Sequence, residues 1–212
     1  MSAKYNLAIV GATGNVGREI IQILEDRNFP IDQLYLVASS RSKGKTIEFN
    51  GKELVVEDLE EFDFSKAQIG LFSPGGKISS EFAPKAAKAG CIVIDNTSYF
   101  RMNKDVPLII PEVNASDLDD FFNKDERSNI IANPNCSTIQ MIVALKPLHD
   151  KAIINRVVVS TYQSVSGAGK DAMDELFNQT QNIYTNKNIE KNKFTKQIAF
   201  NVIPHIDVFL ED

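Results

Sequence analysis

The segment "ANPNCSTIQM", residues 132–141, sets Cys136 between a proline-broken polar turn and the start of a helical pattern. A cysteine so placed could be a nucleophile, a metal ligand, half of a disulfide, or packing. Asn133-Pro134-Asn135 forbids continuous helix before it, and Ser137, Thr138 and the periodic run after them put Cys136 at or next to a helix N-terminus. The positive end of a helix favours the thiolate, the reactive form of the side chain. A metal would need further cysteines or histidines nearby, and the sequence supplies none. The other cysteine, Cys91, opens the apolar run "CIVIDN" and reads as core, so neither a CxxC pair nor a disulfide is suggested.

A second group of residues points to a dinucleotide. In "IVGATGNVGREI", Gly11, Gly14 and Gly17 follow a strand pattern and open a helix. Glycines there let the backbone approach a pyrophosphate at the helix N-terminus, although a glycine-rich turn can also serve close packing alone. At the end of the next strand stands "ASSRSKGK", with Ser39, Ser40, Arg41, Ser42, Lys43 and Lys45 and no carboxylate. An acid here would accept from a ribose 2′-OH; an arginine fork with serine hydroxyls suits a 2′-phosphate instead, so NADP is favoured over NAD. The plainer reading is a solvated basic turn. "FSPGGKIS" places Ser73, Pro74, Gly75 and Gly76 before another helix and should wall the same crevice. "DNTSYFRM" brings Arg101 to that edge as a candidate anion clamp, against the ordinary case of a solvated surface arginine. In "TYQSVSGAGKDAM", Gln163 offers an amide to orient a substrate, and Ser166 to Gly169 form a further turn before a helix. A reactive thiolate beside a nicotinamide points to one chemistry: the sulfur adds to an aldehyde, hydride leaves for NADP⁺, and a second nucleophile attacks the thioester.

The elements that must position these groups alternate at short intervals over residues 5–95. "YNLAIV", "LYLVAS", "AQIGLFS" and "CIVIDN" read as strands. "NVGREIIQILEDRN" sets Val16, Ile20, Ile23 and Leu24 on one helical face, and a second helix is expected from Phe82 to Ala89. "KTIEFNGKELVVE" reads as a hairpin turning at Asn50-Gly51. This rhythm predicts an α/β fold with a Rossmann-like, doubly wound parallel sheet. "NIIANPN" adds a strand and "STIQMIVALKPL" a helix; the β-rich run "AIINRVVVSTYQSVSG" suggests a different sheet. The expected domains are 1–133, nucleotide-binding, and 134–212, the beginning of an incomplete α+β catalytic domain. Residues 178–200, polar and rich in Asn and Lys, read as an exposed excursion. Apolar character returns at "NVIPHIDVFLED".

At 212 residues and 43% hydrophobic composition, the chain can bury one or two cores. Acidic and basic residues mix along the chain to a formal charge of -5, with no basic block to neutralise a phosphate backbone, so no nucleic-acid partner is expected. No stretch reaches the roughly 20 apolar residues of a membrane span, no leader pattern opens the chain, and a cytoplasmic location is expected. Asn96-Thr97-Ser98 matches a glycosylation triplet, which carries no meaning in that compartment.

Taken in order, "GATGNVG", "ASSRSKGK", "SPGG", "DNTSYFRM", "PEVN", "NPNCSTIQ" and "QSVSGAGK" make the chain resemble the aspartate-semialdehyde dehydrogenases over essentially its whole length. The resemblance implies Thr13, Gly14, Asn15 and Val16 at the pyrophosphate, and Arg41 with Ser42 at the 2′-phosphate. It implies Arg101 on inorganic phosphate or the acyl phosphate, Asn135 beside the thiohemiacetal, and Gln163 orienting substrate. It also implies Ser166 and Gly167 on cofactor, and Cys136 as the acyl-thioester nucleophile. The implied reaction links L-aspartyl 4-phosphate and NADPH to L-aspartate 4-semialdehyde, phosphate and NADP⁺, on the way to lysine and diaminopimelate, methionine and threonine. Full-length members form homodimers or tetramers through the second domain. They continue well past "NVIPHID" to a substrate-binding arginine and a catalytic histidine. His149, about 18 Å along the helix from Cys136, and His205 do not match that histidine, so low or no turnover is expected of these 212 residues. The competing readings are an NADP-binding module without catalysis and an N-acetyl-γ-glutamyl-phosphate reductase.

Overall fold

The computed structural model describes residues 3–123 and 128–206; the end of "NVIPHIDVFLED" lies outside them. β1 (Tyr5–Val10) sends Leu7 and Ile9 into one core cluster and Ala8 and Val10 into another. A strand covered on both faces carries no polar alternation, which is why it reads as an unbroken apolar run. After it come α1 (Asn15–Asp26), β2 (Ile31–Ala38), β3 (Thr46–Phe49), β4 (Lys52–Asp58), β5 (Ile69–Phe72), α2 (Gly76–Lys88) and β6 (Ile92–Asp95). The short helices α3 (Pro111–Asn114) and α4 (Asp117–Phe122) then lead to β7 (Ile130–Ala132), α5 (Cys136–Lys151) and α6 (Lys170–Tyr184).

The strands form one seven-stranded sheet in the order β3-β4-β2-β1-β5-β6-β7, parallel throughout except for the β3–β4 pair. From β1 the chain builds outward through β2 and β4, then returns to β1's other side and builds through β5, β6 and β7. This is the expected doubly wound α/β sheet. Its order reverses between β1 and β5, where an open sheet leaves a crevice beyond the strands' carboxyl ends. The hairpin turns at Asn50 (φ 50°) and Gly51 (φ 71°), the paired left-handed conformation that matches the twist of its strands. α1 buries Ile21 and Leu24 against one face of the sheet. α2 buries Phe82, Ala83, Ala86 and Ala87 against the other and starts at Gly76, ahead of the expected Phe82. Among the described residues no helix is long and apolar enough to cross a membrane.

Packing divides the chain into Met1–Thr161 and Tyr162–Asp212, later than the boundary expected at 133/134. α5 begins in the turn after β7 and packs on α3, so it belongs with the first unit. The strand expected over residues 153–163 does not form. A strand exists only when a neighbour completes its ladder, and among the described residues none pairs with this run. Its apolar side chains stand in solvent, Ile153 at 77% and Val158 at 81% exposure.

In the second unit the excursion expected over 178–200 is corrected: α6 runs to Tyr184, and part of the irregular segment beyond that residue is tied back to the helix. The Glu175 carboxylate accepts the N–H groups of Asn192 and Lys193. The Gln179 carboxamide donates to Glu175 and to the Glu190 carbonyl and accepts from Ile198 and Ala199. Glu175 and Gln179 are buried although both are polar, because each supplies hydrogen bonds that the irregular segment cannot make for itself.

Candidate active site at the carboxyl edge of the sheet

The loop after β1 is built by close contact. A Cβ on Gly17 would lie 2.3 Å from the Gly11 carbonyl oxygen, and one on Gly11, where φ is 88°, would lie 2.9 Å from the Ser73 backbone. Both glycines are therefore required by packing, of helix on loop and of loop on loop. The same packing leaves Gly14, Asn15 and Val16 exposed and Thr13 half-buried. α1 starts there with no side-chain cap on its N-terminus and no acid in its first turn, so the positive end of the helix faces outward.

Beyond β2, a 3-10 turn over Ser40–Ser42 exposes Ser39 and Arg41 and buries Ser42, whose Oγ lies 3.3 Å from Thr13 Oγ1. Lys43, part of the basic segment, pairs at the surface with Glu61. Residues 39–45 contain no acid. After β5, the Ser73 N–H donates to the Val10 carbonyl at 2.9 Å, and Gly75 (φ 95°) caps α2 without a side chain. The uncapped α1 terminus and the side chains beside it fit the phosphates of a dinucleotide.

Arg101 lies in the loop after β6, half-buried. Its Nε donates to the Asn133 carbonyl and its Nη2 to the Asn96 carbonyl, each at 2.9 Å. One edge of the guanidinium is thus committed to two strand-end loops. The outer end, at Nη1, carries no hydrogen bond among the described residues and can meet an anion. Asn133 Nδ2 donates to Asn96 Oδ1 at 2.6 Å, and the Asn133 N–H donates to the Asp95 carbonyl at 2.8 Å. Buried Asp95 is itself fixed by the hydroxyls of Ser79 and Thr97, each at 2.8 Å. Two residues beyond Asn133, Asn135 caps α5: its Oδ1 accepts the Ser137 N–H at 2.9 Å, so its Nδ2 is what it can offer a ligand. Cys136, the first residue of α5, is exposed. Cys91 is fully buried, and burial pushes its thiol up to about 12.

Gln163, Ser166 and Gly167 belong to the second unit. A 3-10 turn over Val165–Ala168 exposes Ser166 and Gly167, and the Ser166 N–H donates to Ser164 Oγ. A Cβ on Gly167 would lie 2.6 Å from Gln163 Nε2, so this glycine leaves the place that the carboxamide occupies. Sequence reading gives Asn96 and Asn133 no chemical role. Their pairing crosses two strand ends, and no local pattern signals such a contact. Among the described residues no three His, Cys, Asp or Glu side chains group as a metal site.

Residues 6–121 match the family model described as semialdehyde dehydrogenase, NAD binding domain, and residues 145–212 match semialdehyde dehydrogenase, dimerisation domain. The chain belongs to the semialdehyde dehydrogenase family. It is 55% identical over 212 residues to the aspartate-semialdehyde dehydrogenase of Shewanella sp. strain DB6705, covering 100% of this chain and 62% of that one. The crystal structure of aspartate semialdehyde dehydrogenase II of Vibrio cholerae complexed with ASA superposes with a TM-score of 0.93 at 54% identity, covering 99% of this chain and 61% of the other. The Candida albicans enzyme, solved with NADP, superposes at 0.59 and 26% identity over 72% of this chain and 48% of that one. The chain thus spans about three fifths of the length of the Shewanella and Vibrio relatives.

Proposed function

We propose that the protein is an NADP-dependent aspartate-semialdehyde dehydrogenase, converting L-aspartyl 4-phosphate to L-aspartate 4-semialdehyde and phosphate through a thioester on Cys136. The observation that carries the reading is the placement of Cys136. It is an exposed thiol at the first residue of a capped 16-residue helix, just past Asn133, whose carbonyl anchors Arg101. The relatives' names supply the substrate, and the NADP in the Candida albicans structure supports the dinucleotide suggested by Arg41.

The bound nicotinamide supplies the hydride. Thr13, Gly14, Asn15 and Val16 would hold its pyrophosphate at the end of α1, Ser39, Arg41 and Ser42 would take the 2′-phosphate, and Ser73 and Gly75 would wall the crevice; the family resemblance also assigns Ser166 and Gly167 to the cofactor and Gln163 to the substrate. Arg101 holds the phosphoryl oxygens, drawing charge from the bond that must break. Cys136 Sγ bonds to the acyl carbon as the carbon–oxygen bond to phosphorus breaks, the electron pair leaving with phosphate. The Asn135 amide faces the oxygen of the carbon that sulfur holds. The family's dimerisation domain supports a homodimer, and a biosynthetic role fits the cytoplasm.

The test mixes the chain with aspartate semialdehyde and NADP⁺, without phosphate, and follows nicotinamide reduction at 340 nm together with the mass of Cys136. One equivalent of NADPH and an aspartyl adduct on Cys136 are expected, both absent in Cys136→Ser. Reduction that survives in Cys136→Ser, or NAD⁺ serving as well as NADP⁺, would overturn the nucleophile or the dinucleotide assignment respectively. Reaction with N-acetylglutamate semialdehyde in place of the aspartate compound would overturn the substrate.

A further inference from the structure

We infer that Asn133, paired with Asn96, is a positioning residue that makes the anion site at Arg101 and the turn presenting Cys136 one rigid piece. The inference rests on the roles proposed for Arg101 and Cys136 and deepens them. An arginine that merely reaches an anion from the surface keeps all its donors for the ligand. Arg101 instead gives Nε and Nη2 to the carbonyls of Asn133 and Asn96, each at 2.9 Å, and so holds its outer end in one direction. That direction is useful only if the two carbonyls keep their spacing. The 2.6 Å bond from Asn133 Nδ2 to Asn96 Oδ1 spans the same two loops and closes the frame on its other side.

Each end of the frame is anchored in the sheet. The Asn96 N–H donates to the Phe72 carbonyl at 2.9 Å and the Asn133 N–H to the Asp95 carbonyl at 2.8 Å, so both residues continue the ladders of β6 and β7. Asn133 is followed by Pro134, buried, with φ locked by its ring, and then by the cap Asn135 and the sulfur. Only Pro134 and the cap Asn135 lie between the residue that orients Arg101 and the start of α5. An amide at both positions is what the pairing needs: Asn96 accepts through Oδ1 and Asn133 donates through Nδ2, while neither adds a charge that would compete for the guanidinium.

The test uses the full chain and inorganic phosphate as probe. The alkylation rate of Cys136 by iodoacetamide is measured by mass spectrometry across a phosphate titration, Cys91 being buried and slow. In Asn133→Ala and in Asn96→Ala, the phosphate concentration giving half of the rate change rises about 3- to 10-fold, the worth of one hydrogen bond. In the double variant it rises no further than in Asn96→Ala, which already removes the contact with Asn133 together with the Asn96 Nδ2 bond to the Phe72 carbonyl. Far-UV circular dichroism and NADPH binding, which draw on β1 and β2, stay as in the parent chain. If the alanine variant at 133 does not fold, Asn133→Ser replaces it, with the same expected direction. Unchanged phosphate dependence in the variants, or effects that multiply in the double variant, overturns the positioning role alone. A parent chain whose Cys136 rate ignores phosphate overturns the anion role of Arg101, and the coupling falls with it.

Discussion

Replacing Gln179 by glutamate exchanges one NH2 for an oxygen and leaves the shape of the side chain unchanged. In the parent chain Nε2 donates to Glu175 Oε1 at 3.0 Å and to the Glu190 carbonyl at 2.8 Å, while Oε1 accepts the N–H groups of Ile198 and Ala199. The variant keeps the accepting half and sets a second carboxylate against Glu175, where the two residues are 1% and 7% exposed. Unit charges about 4 Å apart at an effective dielectric near 20 repel by roughly 4 kcal/mol. The lost bond to Glu190 adds about 1 kcal/mol. At neutral pH the segment over residues 190–199 should therefore leave α6. To close, the variant must hold a proton between its two carboxylates, which the open form binds only at lower pH. The closed form then binds more protons than the open one, so its stability falls as pH rises. Hydrogen exchange of peptides covering 190–199, corrected for intrinsic rates, should show protection near parental at pH 5 and lost by up to about 10³-fold at pH 8. Adding Glu175→Gln restores one amide–carboxylate contact and should recover much of the protection. Equal protection in parent and variant at both pH values, or a greater loss at the lower pH, would refute the reasoning.

Gly17→Ala forces a methyl group to within 2.3 Å of the Gly11 carbonyl oxygen and should cost about 2–4 kcal/mol, read as a fall in Tm together with lost NADPH binding. Arg41→Ala should weaken NADPH binding by about 10-fold or more, while NADH titrated in the same fluorescence assay is unaffected, since only the 2′-phosphate needs the guanidinium. Cys91, pushed up to about 12 by burial, should resist alkylation in the native chain and react in urea. Because its folded value exceeds its unfolded one, the stability it contributes is intact below about pH 9 and declines by roughly 1.4 kcal/mol per unit above that, as denaturant melts at graded pH will show against Cys91→Ala.

What could be read from the sequence is what local chemistry dictates. β1 and its glycine loop were legible because buried strands and tight βα turns each constrain their own residues. Asn50-Gly51 was legible because two consecutive left-handed positions admit few residue types. The cap Asn135 and the helix start at Cys136 were signalled by Pro134 and the periodic run after it. Three failures share a cause: each concerns hydrogen bonds between residues apart in the chain. Residues 153–163 have strand composition, but a strand needs a ladder that its own sequence cannot provide. The segment after Tyr184 looks solvated because its backbone groups are satisfied by Glu175 and Gln179, two residues that helical periodicity marks as polar. Asn96 and Asn133 look like ordinary turn residues, and only the parallel pairing of β6 and β7 sets them face to face.

The contact between Gly11 and Ser73 makes the crevice mechanically asymmetric. On the β5 side, backbone meets backbone with no side chain between, so that wall acts as a fixed jaw. On the β2 side the loops touch only through side chains, the Thr13 and Ser42 hydroxyls at 3.3 Å, a contact that rotation about two bonds can break. Adjustment to different dinucleotides would then be confined to the β2 side, and changes in the Ser73 loop would have to be matched at Gly11, tying the two segments together in the drift of the sequence.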